Sequence, residues 1–319
     1  MSLTADMGRE ATCLVRAEDT KQALNISGDE AGGLKRLHHI PWPETALERR
    51  RWQLEQMAGA FRVFAKLGFA DGGSGHISMR GKRLQFVLPA ERQGNTPGLL
   101  ISTECSIDPV DPSTFWLNPY GVHFGVLTVS DMVQVDDQGN RIGGADKAVN
   151  AAGFMIHSAI HASRPDLHAV CHAHSPYARA WSTFGLPIDM LNQDSCMFYN
   201  DLSVYPSFGG VVFASEEGRR ISAAMGPKNR NLLLQNHGSL TAGGTVAEAA
   251  AFFIALERAC HTQLLVEAAV TPGNLHKTLV GEKEAEYTKR GTGSPEVMYM
   301  QFMPEYQMVL KESNGDFLM

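Results

Sequence analysis

The 319 residues, 44% of them apolar and 19% charged, suffice for a sizeable core of ordinary globular composition, and a net charge of −6 with no basic cluster beyond Glu48-Arg49-Arg50-Arg51 argues against a nucleic-acid partner. Five cysteines, Cys13, Cys105, Cys171, Cys196 and Cys260, form no C-x-x-C pair, which speaks against a disulfide framework and against a cysteine zinc site. The first thirty residues lack the apolar stretch of a signal peptide, and the longest apolar run, Ala249 to Leu256, is too short to span a bilayer, so a cytoplasmic chain with no membrane partner is expected.

Residues 1–40 mix Gly, Asp, Glu, Lys and Ser without a sustained period and read as a flexible lead-in. From Glu44 to Leu67 the apolar positions Leu47, Leu54, Met57, Ala58, Phe61, Phe64 and Leu67 follow helical spacing, and Gly68 closes the helix. A glycine-dense turn, Asp71-Gly72-Gly73-Ser74-Gly75-His76, follows. Met79 to Trp116 predicts a strand with an inserted loop around 90–110, and Phe115 to Gly121 a strand running into a turn. Val126 to Val135 predicts strand segments, with a hairpin turn at Asp136-Asp137-Gln138-Gly139-Asn140.

Lys147 to Ser163 suits a buried helix that Arg164-Pro165-Asp166 stops. Ala169-Val170-Cys171 then leads into His172-Ala173-His174, and Ser175-Pro176 opens a helix straight afterwards. Pro187 to Asp194 reads as extended, and Ser215 to Met225 as helical. Leu232 to Gly238 is an apolar strand ending in His and Gly. Thr245-Val246-Ala247-Glu248 has the form of a capping box opening a long helix to about Ala269. Beyond it a less regular tail, 271–319, is expected to rest on a single domain, 41–270.

The chemistry concentrates in the histidines. In a strand the side-chain period is two, so His172 and His174 share a face and make half a metal site. His237, after an independent strand, completes a set of three that leaves a coordination position open, the layout of a catalytic zinc. Metallo-β-lactamase-like and amidohydrolase-like hydrolases want further ligands close behind the pair, where this chain offers Ser175-Pro176-Tyr177.

Taken together, the glycine turn before Gly75-His76-Ile77-Ser78, the Arg164-Pro165-Asp166 stop, His172-Ala173-His174-Ser175, Gln235-Asn236-His237-Gly238 and the helix opened at Thr245 occur in an order that resembles the class II aldolase and adducin-head family, over roughly residues 45 to 270. The resemblance implies an α/β fold, a three-layer αβα sandwich around a central, mostly antiparallel sheet. It implies a divalent metal on His172, His174 and His237, zinc first, with manganese, iron or cobalt as alternatives. It also implies a homo-oligomer, tetramer or dimer, acting on a small-molecule substrate by breaking or forming carbon–carbon bonds beside a carbonyl.

Departures from the family pattern shape the rest. Sugar-phosphate aldolases of the family carry an acid/base glutamate at or beside the position of Gly153, and here there is no carboxylate. Their phosphate-holding Ser/Thr-Gly-Asn appears as Ser74-Gly75-His76, and a second hydroxyl-Gly pair as Tyr120-Gly121. The expected substrate is therefore not a sugar phosphate but a carbonyl, hydroxy or aromatic acid, cleaved by a retro-aldol step or decarboxylated. His76 is the first candidate for acid/base, with Tyr199 or Asp194 as proton donors, and Gly75, Tyr120 and Asn236 as substrate-binding positions. His123 is a further pocket candidate, His157 and His161 are expected to stand behind the site, and Cys171 to lie in the core. A non-catalytic adducin-head-like scaffold protein is the alternative from another class, and a hydrolase or epimerase using the same metal is a third.

Overall fold

Where the backbone hydrogen bonds of the apolar segments go decides the architecture, which a computed structural model describes for residues 40–80, 114–210, 215–271, 273 and 275–319. The expected lead-in before residue 40 and the inserted loop around 90–110 lie outside the described residues. The first helix, α1 (Ala46–Lys66), begins at a capping box between Thr45 and Glu48 and ends before Gly68, whose φ of 79° an L side chain rarely adopts. Four strands follow: β1 (His76–Arg80), β2 (Phe115–Leu117), β3 (Val133–Val135) and β4 (Arg141–Gly144). Next come α2 (Ala151–Ser163), β5 (Ala169–Ala173), α3 (Pro176–Ser182), β6 (Leu202–Tyr205), α4 (Ser215–Met225), β7 (Asn231–Leu234) and β8 (Gly238–Gly243). The chain closes with α5 (Val246–Val270), α6 (Glu282–Thr292) and α7 (Pro295–Glu312).

Among the described residues the strands form one sheet in the order β4-β3-β2-β1-β5-β8-β7-β6, antiparallel throughout except β6 with β7. The two-residue period of β5 sorts its side chains between layers. Ala169, Cys171 and Ala173 join the core beneath α1, α5 and α7, whereas Val170 packs with Ile156 and Ile160 of α2 and Ile221 and Met225 of α4. Helices thus cover both faces, which is the expected three-layer αβα sandwich around a mostly antiparallel sheet.

Several local readings change. Where the sequence predicts strand segments over Val126 to Val135, a 3-10 turn at Phe124–Val126 runs into the stretch and a second, Val129–Asp131, lies within it before β3. The segment from Pro187 to Asp194 is irregular, and β6 forms later. The tail contains α6 and α7, and Val297, Met298, Tyr299, Phe302, Tyr306 and Val309 of α7 are buried. Thr245 does cap α5 through the Glu248 amide at 3.0 Å, but the Glu248 carboxylate turns to the Gly244 amide and to Arg230. Arg230 also pairs with Asp201 at 2.6 Å, and Lys289 of α6 meets the same carboxylate. Helix α5 is long and apolar enough to cross a membrane by length and composition, yet 56% of its apolar window is buried inside the protein, as in a core helix.

Candidate metal centre and substrate cleft

Three chain reversals bring the predicted ligands together. β5 pairs with β1 on one side and β8 on the other, in a register that sets His172 opposite both His76 and Leu240. His174 lies just past the strand, where the chain turns into α3. That turn is fixed from the long core helix: the buried Glu257 carboxylate accepts Ser175 Oγ at 2.6 Å and the Tyr177 and Ala178 amides at 2.7 Å each. Ser175 therefore occupies the N-cap position of α3, while Glu257 satisfies the amides of its first turn. His237 sits in the reversal between β7 and β8, where Asn236 takes a φ of 58° and the His237 amide returns to Leu234 O. The expected strand end is in fact this hairpin turn.

The ligand nitrogens of His172, His174 and His237 all lie within 4.8 Å of one another. His172 Nδ1 meets the Ser239 carbonyl at 2.9 Å, so that nitrogen donates and Nε2 carries the lone pair. His237 Nε2 and His174 Nε2 approach to 3.0 Å. Burial, then the neighbouring imidazoles, holds His172 well below the usual histidine range; burial first also lowers His174 and brings His237 down to about 4. Neutral imidazoles that converge, with a backbone carbonyl fixing the tautomer of one of them, form a donor set that fits a divalent metal.

The centre lies in a cleft of about 680 Å³ lined by Gly75, His76, Tyr120, Gly153, Asn236 and the three ligands, among others. His76 is 4% exposed, and neither ring nitrogen has a partner among the described residues. Its ring stands between those of His157 and His172, at centroid distances of 4.3 and 5.1 Å. Burial pushes it down to about 3. A Cβ added at Gly153 would fall 2.5 Å from His76 Cε1, so the imidazole fills the space that a side chain at 153 would need. Gly75 is equally constrained: its φ is 94°, and a Cβ there would meet Phe124 at 2.9 Å and the His172 carbonyl at 3.0 Å.

Behind the cleft a buried hydrogen-bonded line has a fixed direction. His161 Nδ1 donates to the Leu167 carbonyl at 3.1 Å, so its Nε2 accepts from Ser78 Oγ at 2.8 Å. Ser78 Oγ then accepts from His157 Nδ1 at 2.7 Å, leaving His157 Nε2 as a buried acceptor without a partner among the described residues.

The structure brings His76, Gly75, Tyr120 and Asn236 to the cleft with the three ligands. It does not bring Asp194 or Tyr199 there. Asp194 lines a separate recess of about 220 Å³ with Asn192, Met197 and Arg258, and Tyr199 caps the 3-10 turn Ser195–Phe198. His123 caps its own turn, accepting the Gly125 amide at 3.0 Å. Cys171 is buried in the core, which raises its thiol pKa. Arg179 and Phe208 line the cleft and were not singled out from the sequence. The signal for Arg179 was available, since it lies one turn into the helix that starts beside His174; nothing local marks Phe208.

A sheet with helices on both faces, and three histidines converging from β5, the turn after it and the β7–β8 turn, define an α/β protein with a candidate metal site, and comparison narrows the class. The family model for the Class II Aldolase and Adducin N-terminal domain matches residues 55–264, and the chain belongs to that family. It is 34% identical to the Meiotically up-regulated gene 14 protein of Schizosaccharomyces pombe, over 87% of this chain and 96% of that one. It is 34% identical to 4-hydroxy-3-prenylphenylpyruvate oxygenase/4-hydroxy-3-prenylbenzoate synthase of Streptomyces roseochromogenus subsp. oscitans, over 78% of this chain and 79% of that one. Decarboxylase NovR of Streptomyces niveus shares 33% identity over 90% and 92% of the two chains. Among solved structures, L-fuculose 1-phosphate aldolase from Glaciozyma antarctica PI12 superposes with a TM-score of 0.72 at 34% identity, covering 88% of this chain and 96% of that one.

Proposed function

We propose that the chain is a metal-dependent lyase that breaks a carbon–carbon bond beside a carbonyl, by retro-aldol cleavage or decarboxylation, in a non-phosphorylated carbonyl, hydroxy or aromatic acid. The observation that carries this reading is the convergence of His172, His174 and His237 in an open cleft. A divalent ion held there would polarise a carbonyl oxygen and take up the negative charge that grows on it as the neighbouring bond breaks. Zinc is the first choice for such a set of imidazoles. The Ser239 carbonyl orients His172, and Glu257 fixes the turn that carries His174. In this reading His76 is the acid/base group that stands where a residue at 153 would otherwise reach, and Asn236 orients a substrate oxygen. Within one chain Asp194 and Tyr199 stand outside this cleft, and a part for them as proton donors would fall to a neighbouring subunit's site.

Support for a non-phosphorylated acid comes from Tyr120 in the lining, a bulky ring where the family's sugar-phosphate aldolases carry a compact hydroxyl, and from the names of the two Streptomyces relatives. A second reading, oxidative cleavage of an aromatic 2-oxo acid with dioxygen as the oxidant and a redox-active ion such as iron, rests on the oxygenase named among them. We further propose that the protein is a cytoplasmic homo-oligomer.

Metal analysis of the purified protein beside His172→Ala tests the centre: the expected result is stoichiometric metal in the first and little in the second. No first-row divalent metal in either, after supply of zinc, iron, manganese and cobalt in turn, would sink the enzyme reading in favour of an adducin-like scaffold. With metal present, mass spectrometry of reactions with aromatic 2-oxo and hydroxy acids should detect carbon dioxide or a small aldehyde.

A further inference from the structure

The charge pattern of the cleft selects its ligand. Among the described lining residues there is no Asp or Glu, and Arg179 is the single Lys or Arg. Arg179 projects from α3, one turn after His174, with 49% of its side chain exposed. Its Nη1 bonds Asp71 Oδ2 at 3.0 Å, tying α3 to the glycine turn, and its Nε and Nη2 make no hydrogen bond among the described residues. A guanidinium pinned by one nitrogen and open along its other edge offers two parallel donors, the arrangement that matches a carboxylate.

Two aromatic side chains lie open to the same cleft, Tyr120 at 59% exposure and Phe208 at 54%. Tyr120 follows β2 and Phe208 follows β6, and these strands lie on opposite sides of β5 in the sheet. Phe208 approaches the centre itself, its ring 6.3 Å from that of His237, while Tyr120 lies against the Gly73 turn. Exposed rings on two sides of a concave site gain most by covering a flat apolar body.

We propose that Arg179 is the carboxylate anchor of the cleft and that Tyr120 and Phe208 hold an aromatic body between them, so the ligand is an aryl-substituted 2-oxo or hydroxy acid bound as a monoanion. This rests on the reading of the cleft as a substrate site for carbonyl acids and deepens it by assigning the recognition residues. Arg179 acts as a binding handle, so its loss raises KM more than it lowers kcat.

Calorimetric titration of the metal-loaded protein with phenylpyruvate, its neutral primary amide, pyruvate and inorganic phosphate gives the test. The wild-type protein should prefer phenylpyruvate to the amide, and Arg179→Met should erase that preference by weakening acid binding about 10- to 100-fold, the loss of a charge-assisted pair of hydrogen bonds. Arg179→Lys, which keeps the charge but not the fork, should fall between, and equal metal content in each variant confirms an intact centre. Phe208→Ala and Tyr120→Ala should weaken phenylpyruvate but not pyruvate. An undiminished preference for the acid in Arg179→Met would overturn the anchor while leaving the aromatic-acid reading standing. Phosphate competing as well as phenylpyruvate would overturn the carboxylate assignment. A metal-loaded wild-type protein that binds neither phenylpyruvate nor its amide would overturn the aromatic-acid reading itself.

Discussion

Two groups of histidines stand side by side in this protein, and they differ in how the chain delivers them. His172, His174 and His237 come from the end of β5, the turn into α3 and the turn between β7 and β8, and their nitrogens converge on one point. His157 and His161 come from adjacent turns of α2, and their nitrogens run in line through Ser78 to the Leu167 carbonyl. Both groups are kept neutral mainly by burial, so desolvation does not separate them. Convergence does: lone pairs aimed at a common point leave coordination unmet, whereas three of the four nitrogens in series are met by Ser78 Oγ and the Leu167 carbonyl. The first group is built for a ligand and the second for the fold.

Exchanging the two roles by mutation should break them differently. His237→Ala removes one donor of three and should weaken metal binding by more than about 100-fold, since even outer hydrogen-bond partners of a ligand are worth about 10- to 100-fold. Its thermal transition, measured in the presence of chelator, should stay close to that of wild type. His161→Phe should do the opposite, retaining metal while losing about 1–3 kcal/mol in urea unfolding because Ser78 Oγ–H is left buried without an acceptor. Metal loss in His161→Phe, or full metal retention in His237→Ala, would show the division to be wrong.

His76 lies on the boundary between the groups, and Gly153 is what allows it to stand there. Gly153→Ala forces a methyl to within 2.5 Å of the ring, and the expected cost is about 1–3 kcal/mol of stability with a larger loss of turnover as the imidazole is displaced. The double variant Gly153→Ala/His76→Ala should recover the stability lost at position 153 but not the turnover. A thermal denaturation cycle over the four proteins measures the coupling, and additivity would remove the steric link between the two positions.

How much of this the sequence carried follows from how local each signal was. The ligands stood out because an apolar run ending in histidine is a local pattern, and the helix stops at Gly68 and Pro165 are equally local. β8 escaped notice because Gly238-Ser239-Leu240-Thr241-Ala242-Gly243 carries few strand-forming residues and is held by pairing with β5 and β7 on both sides. Helix α7 was hidden by Pro304 in its interior, although its buried positions keep helical spacing around that residue. Asp194 and Tyr199 are polar and aromatic residues in a loop, and only the path of the chain after β5 shows that Asp194 lines another recess and Tyr199 caps the adjoining 3-10 turn. Phe208 needs the same tertiary information, because it reaches the cleft from beyond β6, whereas Arg179 lies one turn into the helix that starts beside His174.

The smallest effect expected is in pH dependence, and it sharpens the contrast for histidines that make no metal contact. Burial lowers His168 to about 4 and His161 to about 3, against an ordinary value near 6.5. The stability they carry is complete above about pH 6.5, where folded and unfolded chains are both neutral at these positions. As pH falls below that value the unfolded chain takes up protons that the folded chain refuses, so stability declines down to about pH 4 for His168 and about pH 3 for His161. Each group contributes a slope of at most about 1.4 kcal/mol per pH unit inside its window. His168→Leu removes one such group at a buried site where neither ring nitrogen has a hydrogen-bond partner among the described residues. Urea unfolding of metal-stripped protein between pH 7 and pH 4.5 should show the variant losing stability less steeply than wild type by about that slope. Parallel pH profiles for the two proteins would mean that His168 takes up its proton alike in the folded and unfolded chains, with Asp166 as the neighbouring charge that offsets burial.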